Sequence, residues 1–224
     1  MLVKDLAAMI HQNAVDHGWW EDEPPMPVVV ALIHSEWSEA LEEARAGRPL
    51  VYKPCHVCSN GPCYILPDNN APGSWIDTKC VTRDMARSCQ AKDIEWEAAK
   101  LEGVAVELID GCLRILDAIA YSKVEMTEPD TLEPTRIEAL TGKHRAVLPD
   151  ETPEDAPTLI AWLHAFTSMA LLEDDETVLR ETHLISAMSL ALSWVQDQGI
   201  DPLALLLEKH KYNEGRPYKH GKEF

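Results

Sequence analysis

Two acidic pairs stand at helical spacing inside strongly apolar segments. Glu36 and Glu39 lie in VVVALIHSEWSEALEEARAG, and Glu107 and Asp110 in LEGVAVELIDGCLRILDAIA. A soluble helix normally turns its carboxylates to water and its apolar residues inward. The second segment is instead apolar on nearly every face. Its polar residues Glu107, Asp110, Arg114 and Asp117 fall at i, i+3, i+7 and i+10, on one stripe. A buried acidic stripe must be paired or must hold metal. Two such helices packed face to face would cage a hard divalent cation, Mg²⁺ or Mn²⁺, through oxygen ligands.

Plainer readings stand beside this one. Glu36 follows Leu32 and Ile33 at i+4 and i+3, so it sits beside the apolar face; an amphipathic helix with a negative surface would also place it there. Glu42 and Glu43 read as solvated, although Glu43 could extend the acidic row. Pairing with Arg114 could explain one acid of the second helix, but strains to explain Glu107, Asp110 and Asp117 together. His34 points away from Glu36 and is expected to serve helix packing or a second shell rather than metal ligation.

The elements that position these residues read as helices. Apolar periodicity predicts helices over 3–18, 28–46, 93–120 (with an interruption at Gly103), 156–174, 176–198 and about 202–214. EDEPPMP, with its prolines, reads as a linker. Residues 50–76 read as irregular, with a short helix from near Asp77 toward Lys92. Residues 121–155 read as a polar connection. Strand alternation is not evident, so the expected fold is an all-α bundle in one domain over 1–224, with a loop-rich cysteine insert at about 50–92 and additional C-terminal helices.

The chain has 224 residues, 46% hydrophobic, and a formal net charge of −18. The charge argues against binding a nucleic-acid polymer. No apolar run is long enough for a membrane span, and the first residues lack a signal-peptide pattern, so a cytoplasmic location is the expectation. Cytosolic cysteines are normally reduced. Cys55-x2-Cys58 could seed a structural Zn²⁺ site with Cys63 and Cys80, or with Cys89 or His56; free or buried thiols are the plainer reading. Cys112 reads as a small apolar core residue.

The same text resembles the MazG-like, all-helical nucleoside triphosphate pyrophosphohydrolases of bacteria and phages. That family carries E-x-x-E on one helix and E-x-x-D on a later one. Here they correspond to Glu36-Trp-Ser-Glu39 and Glu107-Leu-Ile-Asp110. The opening IHQNAVDHGWW and the closing KHKYNEGRPYKHGKEF are also similar, while the cysteine insert is not. The resemblance implies Mg²⁺-dependent hydrolysis of a (d)NTP to (d)NMP and pyrophosphate, with Glu36, Glu39, Glu107 and Asp110 as metal-binding and catalytic acids. It maps phosphate binding onto Lys209, Asn213, Arg216 and Lys222. It also implies a homodimer or higher homo-oligomer. His11 and Asn13 are candidate base or ribose contacts. Trp19, Trp20 and Trp37 could stack on a base, though a core role is the plainer reading for each. Two other functions fit the same acids: hydrolysis of another pyrophosphate-containing compound, and nucleotide or metal binding without turnover.

Overall fold

The computed structural model describes residues 3–54, 64–67, 75–79, 100–122, 152–172 and 177–221. Six α-helices dominate them: α1 (Val3–Asp16), α2 (Met26–Arg45), α3 (Val104–Ser122), α4 (Ala156–Met169), α5 (Thr177–Asp197) and α6 (Pro202–Glu214). A 3₁₀ turn follows at Tyr218–Gly221. Among the described residues no helix is long and apolar enough to cross a membrane.

Helix α3 is the hub. It packs against α1, α2, α5 and α6, while α2 also packs on α4 and α4 on α5. The reason is in its sequence: Val106, Leu108, Ile109, Ile115 and Leu116 leave almost no polar face, and all are fully buried. A helix apolar on so many sides is stable only with neighbours on those sides. Local signals set several helix starts. Asp155 accepts from Thr158 N, and Asp201 from Leu203 N and Ala204 N, each satisfying amides that a helix start leaves open. Pro27, expected in a linker, lies in the first turn of α2, where a missing N–H costs nothing.

Two expectations fail. The stretch read as irregular contains a three-stranded antiparallel sheet, β1 (Lys53–Pro54), β2 (Tyr64–Pro67) and β3 (Trp75–Lys79), in the order β1-β2-β3. Lys53 pairs with Ile65, and Tyr64 with Lys79. Asp77 therefore lies in a strand rather than at a helix start. The strands are too short to show a period, but their β-branched and aromatic residues suit a sheet. Of the helix expected over 93–120 with an interruption at Gly103, residues 100–102 are not helical and α3 starts at Val104, while 93–99 lie outside the described residues. The break falls at Gly103, which has a φ of 119° and whose missing side chain lets the Leu50 carbonyl approach. Glu102 instead bridges to Tyr52. Cys55, Cys58, Cys63, Cys80 and Cys89, and hence the Zn²⁺ expectation, lie outside the described residues. Cys112 is buried in the core, as expected.

One side chain of α2 ties α3 and α4 together. Trp37 is fully buried, donates through Nε1 to Thr167 Oγ1 at 2.9 Å, and lays its ring over Gly111. A side chain at Gly111 would collide with three ring atoms of Trp37. Overpacking costs about 1–3 kcal/mol, against roughly 1 kcal/mol gained by removing a glycine from a helix interior. The ring is pinned by Thr167, so the collision outweighs the gain. Gly111→Ala is expected to lose about 1 kcal/mol of stability in urea denaturation; an unchanged midpoint would mean that the ring moves aside.

Candidate metal and phosphate site

The α2–α3 packing brings three carboxylates together. Ligand oxygens of Glu36, Glu39 and Glu107 lie within 4.8 Å of one another. Glu36 and Glu107 are buried and Glu39 is exposed. The i, i+3 spacing in α2 supplies two of them, and the first turn of α3 supplies the third. They line a cavity of about 230 Å³ whose other walls come from α1, α6 and the segment after α6.

Charge around the cavity is distributed by helix. Arg114 Nε donates to Glu36 Oε1 at 3.1 Å, crossing from α3 to α2, and its guanidinium lies 5.4 Å from the centre of the Trp19 ring. Lys209 of α6 places Nζ 2.7 Å from Asp110 Oδ2. Asp117 Oδ1 receives Trp20 Nε1 at 2.9 Å and meets His11 Nδ1 at 2.7 Å. Burial raises the pKa of Asp117, against the pull of His11 and Trp20. Burial also raises that of Glu36, opposed by Arg114 and reinforced by Asp110 and Glu39.

Glu107 differs from these. Its Oε2 is buried and has no hydrogen-bond partner. Burial and the neighbouring Asp110 push its pKa up to about 8, against Lys209 and Lys100. An orphaned carboxylate oxygen beside two further carboxylates fits a hard divalent cation, which would supply the missing charge. Glu36, Glu39 and Glu107 are the residues that could hold it. Asp110 adds negative potential beside them while its Oδ2 stays on Lys209.

The phosphate-binding and base-binding expectations divide. Asn13, Asn213 and Arg216 line the cavity. Lys209 does so only through Asp110: its side chain is 1% exposed, and it also contacts the Leu101 carbonyl. Lys222 lies outside the described residues. His11 is engaged with Asp117, and Trp20 stacks on Tyr121 at 4.0 Å between centroids, so both brace Asp117 from outside the main cavity. Trp20, with Trp19, Val28 and Leu32, instead lines a smaller apolar pocket of about 100 Å³. Trp19, Arg114 and Asp117 line both spaces, which makes them neighbours. Trp37 stays in the core. Glu43 does not extend the acidic row and is not solvated: it is buried against Arg48 at 2.6 Å and the Tyr52 hydroxyl at 3.0 Å. His34 faces α4 and not the carboxylates.

Two contributors had no strong signal in the sequence. His210 and His17 both line the cavity. His17 Nδ1 lies 2.7 Å from the Asn13 carbonyl and Nε2 2.9 Å from the Arg216 carbonyl. The same C-terminal segment is tied down by Lys219 N to His17 O at 2.9 Å, by Lys219 Nζ to Asp22, and by the Tyr218 hydroxyl to Glu21. These bonds hold Arg216 at the cavity. A histidine before the Gly18 turn was the only hint.

No protein-family model, curated protein or solved structure matches this chain.

Two outcomes follow from these pairings. Glu107 titrates higher in the folded chain than its ordinary 4.5. Its neutral form therefore favours folding, fully at low pH, and that contribution is lost as pH rises through about 8. With chelator present, the melting temperature should fall between about pH 5 and pH 8 relative to Glu107→Gln; a constant difference would remove the argument. Lys209→Met leaves Asp110 without its partner and should cost about 3 kcal/mol in chemical denaturation without nucleotide. A phosphate ligand would leave that value near wild type.

Proposed function

We propose that the protein is a metal-dependent nucleoside triphosphate pyrophosphohydrolase that converts a (d)NTP to a (d)NMP and pyrophosphate. The observation that carries this reading is the convergence of Glu36, Glu39 and Glu107 within 4.8 Å in a cavity that Arg114 and Arg216 also line. Carboxylates to hold cations, facing guanidinium groups to hold phosphates, suit a substrate that arrives as a metal–triphosphate complex. The resemblance to MazG-like enzymes supports the same chemistry. When bound, Mg²⁺ or Mn²⁺ lowers the pKa of a water and offsets phosphate charge.

The chain's own residues then have defined tasks. Glu36, Glu39 and Glu107 hold the cation, with Asp110 adding to the negative field behind them. Glu39 is the exposed member and is the first choice to accept the proton of the attacking water. The water oxygen bonds to the α phosphorus. The bond from that phosphorus to the α–β bridging oxygen breaks, and its electron pair leaves with pyrophosphate. Arg216 grips phosphate oxygens as a fork. Asn13 and Asn213 orient phosphate or sugar. The adjoining pocket of Trp19, Trp20, Val28 and Leu32 takes the base. The reading includes a cytoplasmic homo-oligomer, for which exposed Trp162, Leu171 and Leu172 offer apolar surface.

The test is release of pyrophosphate and monophosphate across a panel of ribo- and deoxyribonucleoside triphosphates, with Mg²⁺, Mn²⁺ or chelator. Equal amounts of both products are expected, abolished by chelator and reduced on the order of 100-fold or more by Glu107→Gln or Asp110→Asn. A folded protein that binds nucleotide without turnover would be a regulator. One that leaves the whole panel untouched would act on another pyrophosphate compound.

A further inference from the structure

Three residues join the acidic cavity to the apolar pocket beside it: Trp19, Arg114 and Asp117 line both. Under the proposed function the phosphates lie at the acids and the base lies in the apolar pocket. The sugar is the part of a nucleotide between them, so it passes these three side chains.

Their hydrogen-bonding roles are unequal. Indole and guanidinium groups carry donors only, so Asp117 is the acceptor among the three. Both of its bonds fall on Oδ1, from Trp20 Nε1 at 2.9 Å and from His11 Nδ1 at 2.7 Å. They fix the carboxylate in place, and Trp20 is itself braced by its stacking on Tyr121. Oδ2 has no donor among the described residues, and it is not a buried atom left without a partner, as Glu107 Oε2 is. It is therefore open to the spaces that Asp117 lines. The side chain as a whole is only 16% exposed. The junction thus presents a fixed, largely desolvated carboxylate with one oxygen to spare. Such a group takes a hydroxyl in a charge-assisted bond, as an acidic residue does at the ribose of bound dinucleotides.

We propose that Asp117 Oδ2 accepts a hydrogen bond from the 3′-hydroxyl of the substrate sugar, which makes an unsubstituted 3′-hydroxyl a requirement of the site. The inference rests on the nucleotide reading above. The 3′-hydroxyl is the one that ribo- and deoxyribonucleotides share, so both sugars meet the requirement. A 3′-phosphodiester has no proton to give and sets its negative charge against the carboxylate. The site therefore selects free mononucleotides and turns away the triphosphorylated 5′ end of a polynucleotide.

Binding, rather than turnover, is the test. The four common dNTPs, their 2′,3′-dideoxy counterparts, a 5′-triphosphorylated deoxydinucleotide and inorganic tripolyphosphate are titrated into the full chain by calorimetry. Ca²⁺ replaces Mg²⁺ so that binding is read without hydrolysis. A dNTP that binds should lose about tenfold or more in affinity as its ddNTP. The dinucleotide with the same base should bind more weakly still. Asp117→Ala and Asp117→Asn are run beside wild type, each checked for its fold by circular dichroism; Asn keeps an oxygen for Trp20 and His11. The dNTP-to-ddNTP ratio should fall in both, and to about one in Asp117→Ala. Equal binding of dNTP and ddNTP by wild type overturns the proposal and leaves the nucleotide reading standing. A ratio unchanged in both variants also overturns it, whatever the overall loss, because a carboxylate that only supports Trp20 would weaken both ligands alike. Tripolyphosphate binding as tightly as every nucleotide removes the base pocket and this inference with it. Binding of none of these ligands overturns the nucleotide reading itself together with the inference.

Discussion

A carboxylate stripe on the hub helix of the bundle is the constraint around which the other helices are arranged. Glu107, Asp110 and Asp117 share one side of α3 with Arg114, and none can be left alone in an apolar core. Each of the last three is answered from a different element. Asp110 takes Lys209 from α6, Arg114 takes Glu36 from α2, and Asp117 takes His11 from α1 and Trp20 from the turn after it. The apolar residues bring the helices together. The polar stripe decides their rotation, because each partner must arrive opposite its own charge.

Glu107 is the position where this logic stops. A protein selected for stability alone would give Oε2 a donor or replace the residue with an apolar one of similar size. Instead that oxygen has no partner, and the carboxylate that carries it lies beside those of Glu36 and Glu39. Local frustration of this kind, beside the paired Asp110 and Asp117, is characteristic of functional sites. The surrounding pairs hold the frame stiff enough to tolerate it.

Much of this was legible in the chain. Acids on an apolar helix announce themselves by contrast, and the i, i+3 spacing says they share a face. Helices α1, α5 and α6 are near where periodicity placed them, because capping residues and glycines mark their ends. The rest depended on information that spacing does not carry. A lysine near phosphate-like text can face a phosphate or a carboxylate, and Lys209 faces Asp110. Gly111 has no side chain to signal that a tryptophan from another helix lies across it. The strands are too short for any period to emerge. His17 acts through two backbone carbonyls, which have no sequence identity.

The contacts that build the cavity have one further property in common. Arg114 reaches Glu36 across 78 positions of sequence, Trp20 reaches Asp117 across 97, His11 reaches Asp117 across 106, and His17 reaches the Arg216 carbonyl across 199. Helical bundles usually fold quickly because their contacts are local, and distant contacts slow the search. Here the individual helices can form early, while the cavity waits for segments far apart in the chain to meet. During synthesis α3 leaves the ribosome well before α6, so Asp110 spends that interval without its lysine. The pocket is therefore among the last parts of the molecule to exist, and a chain that stalls before α6 carries the acids without the cavity that gives them a use.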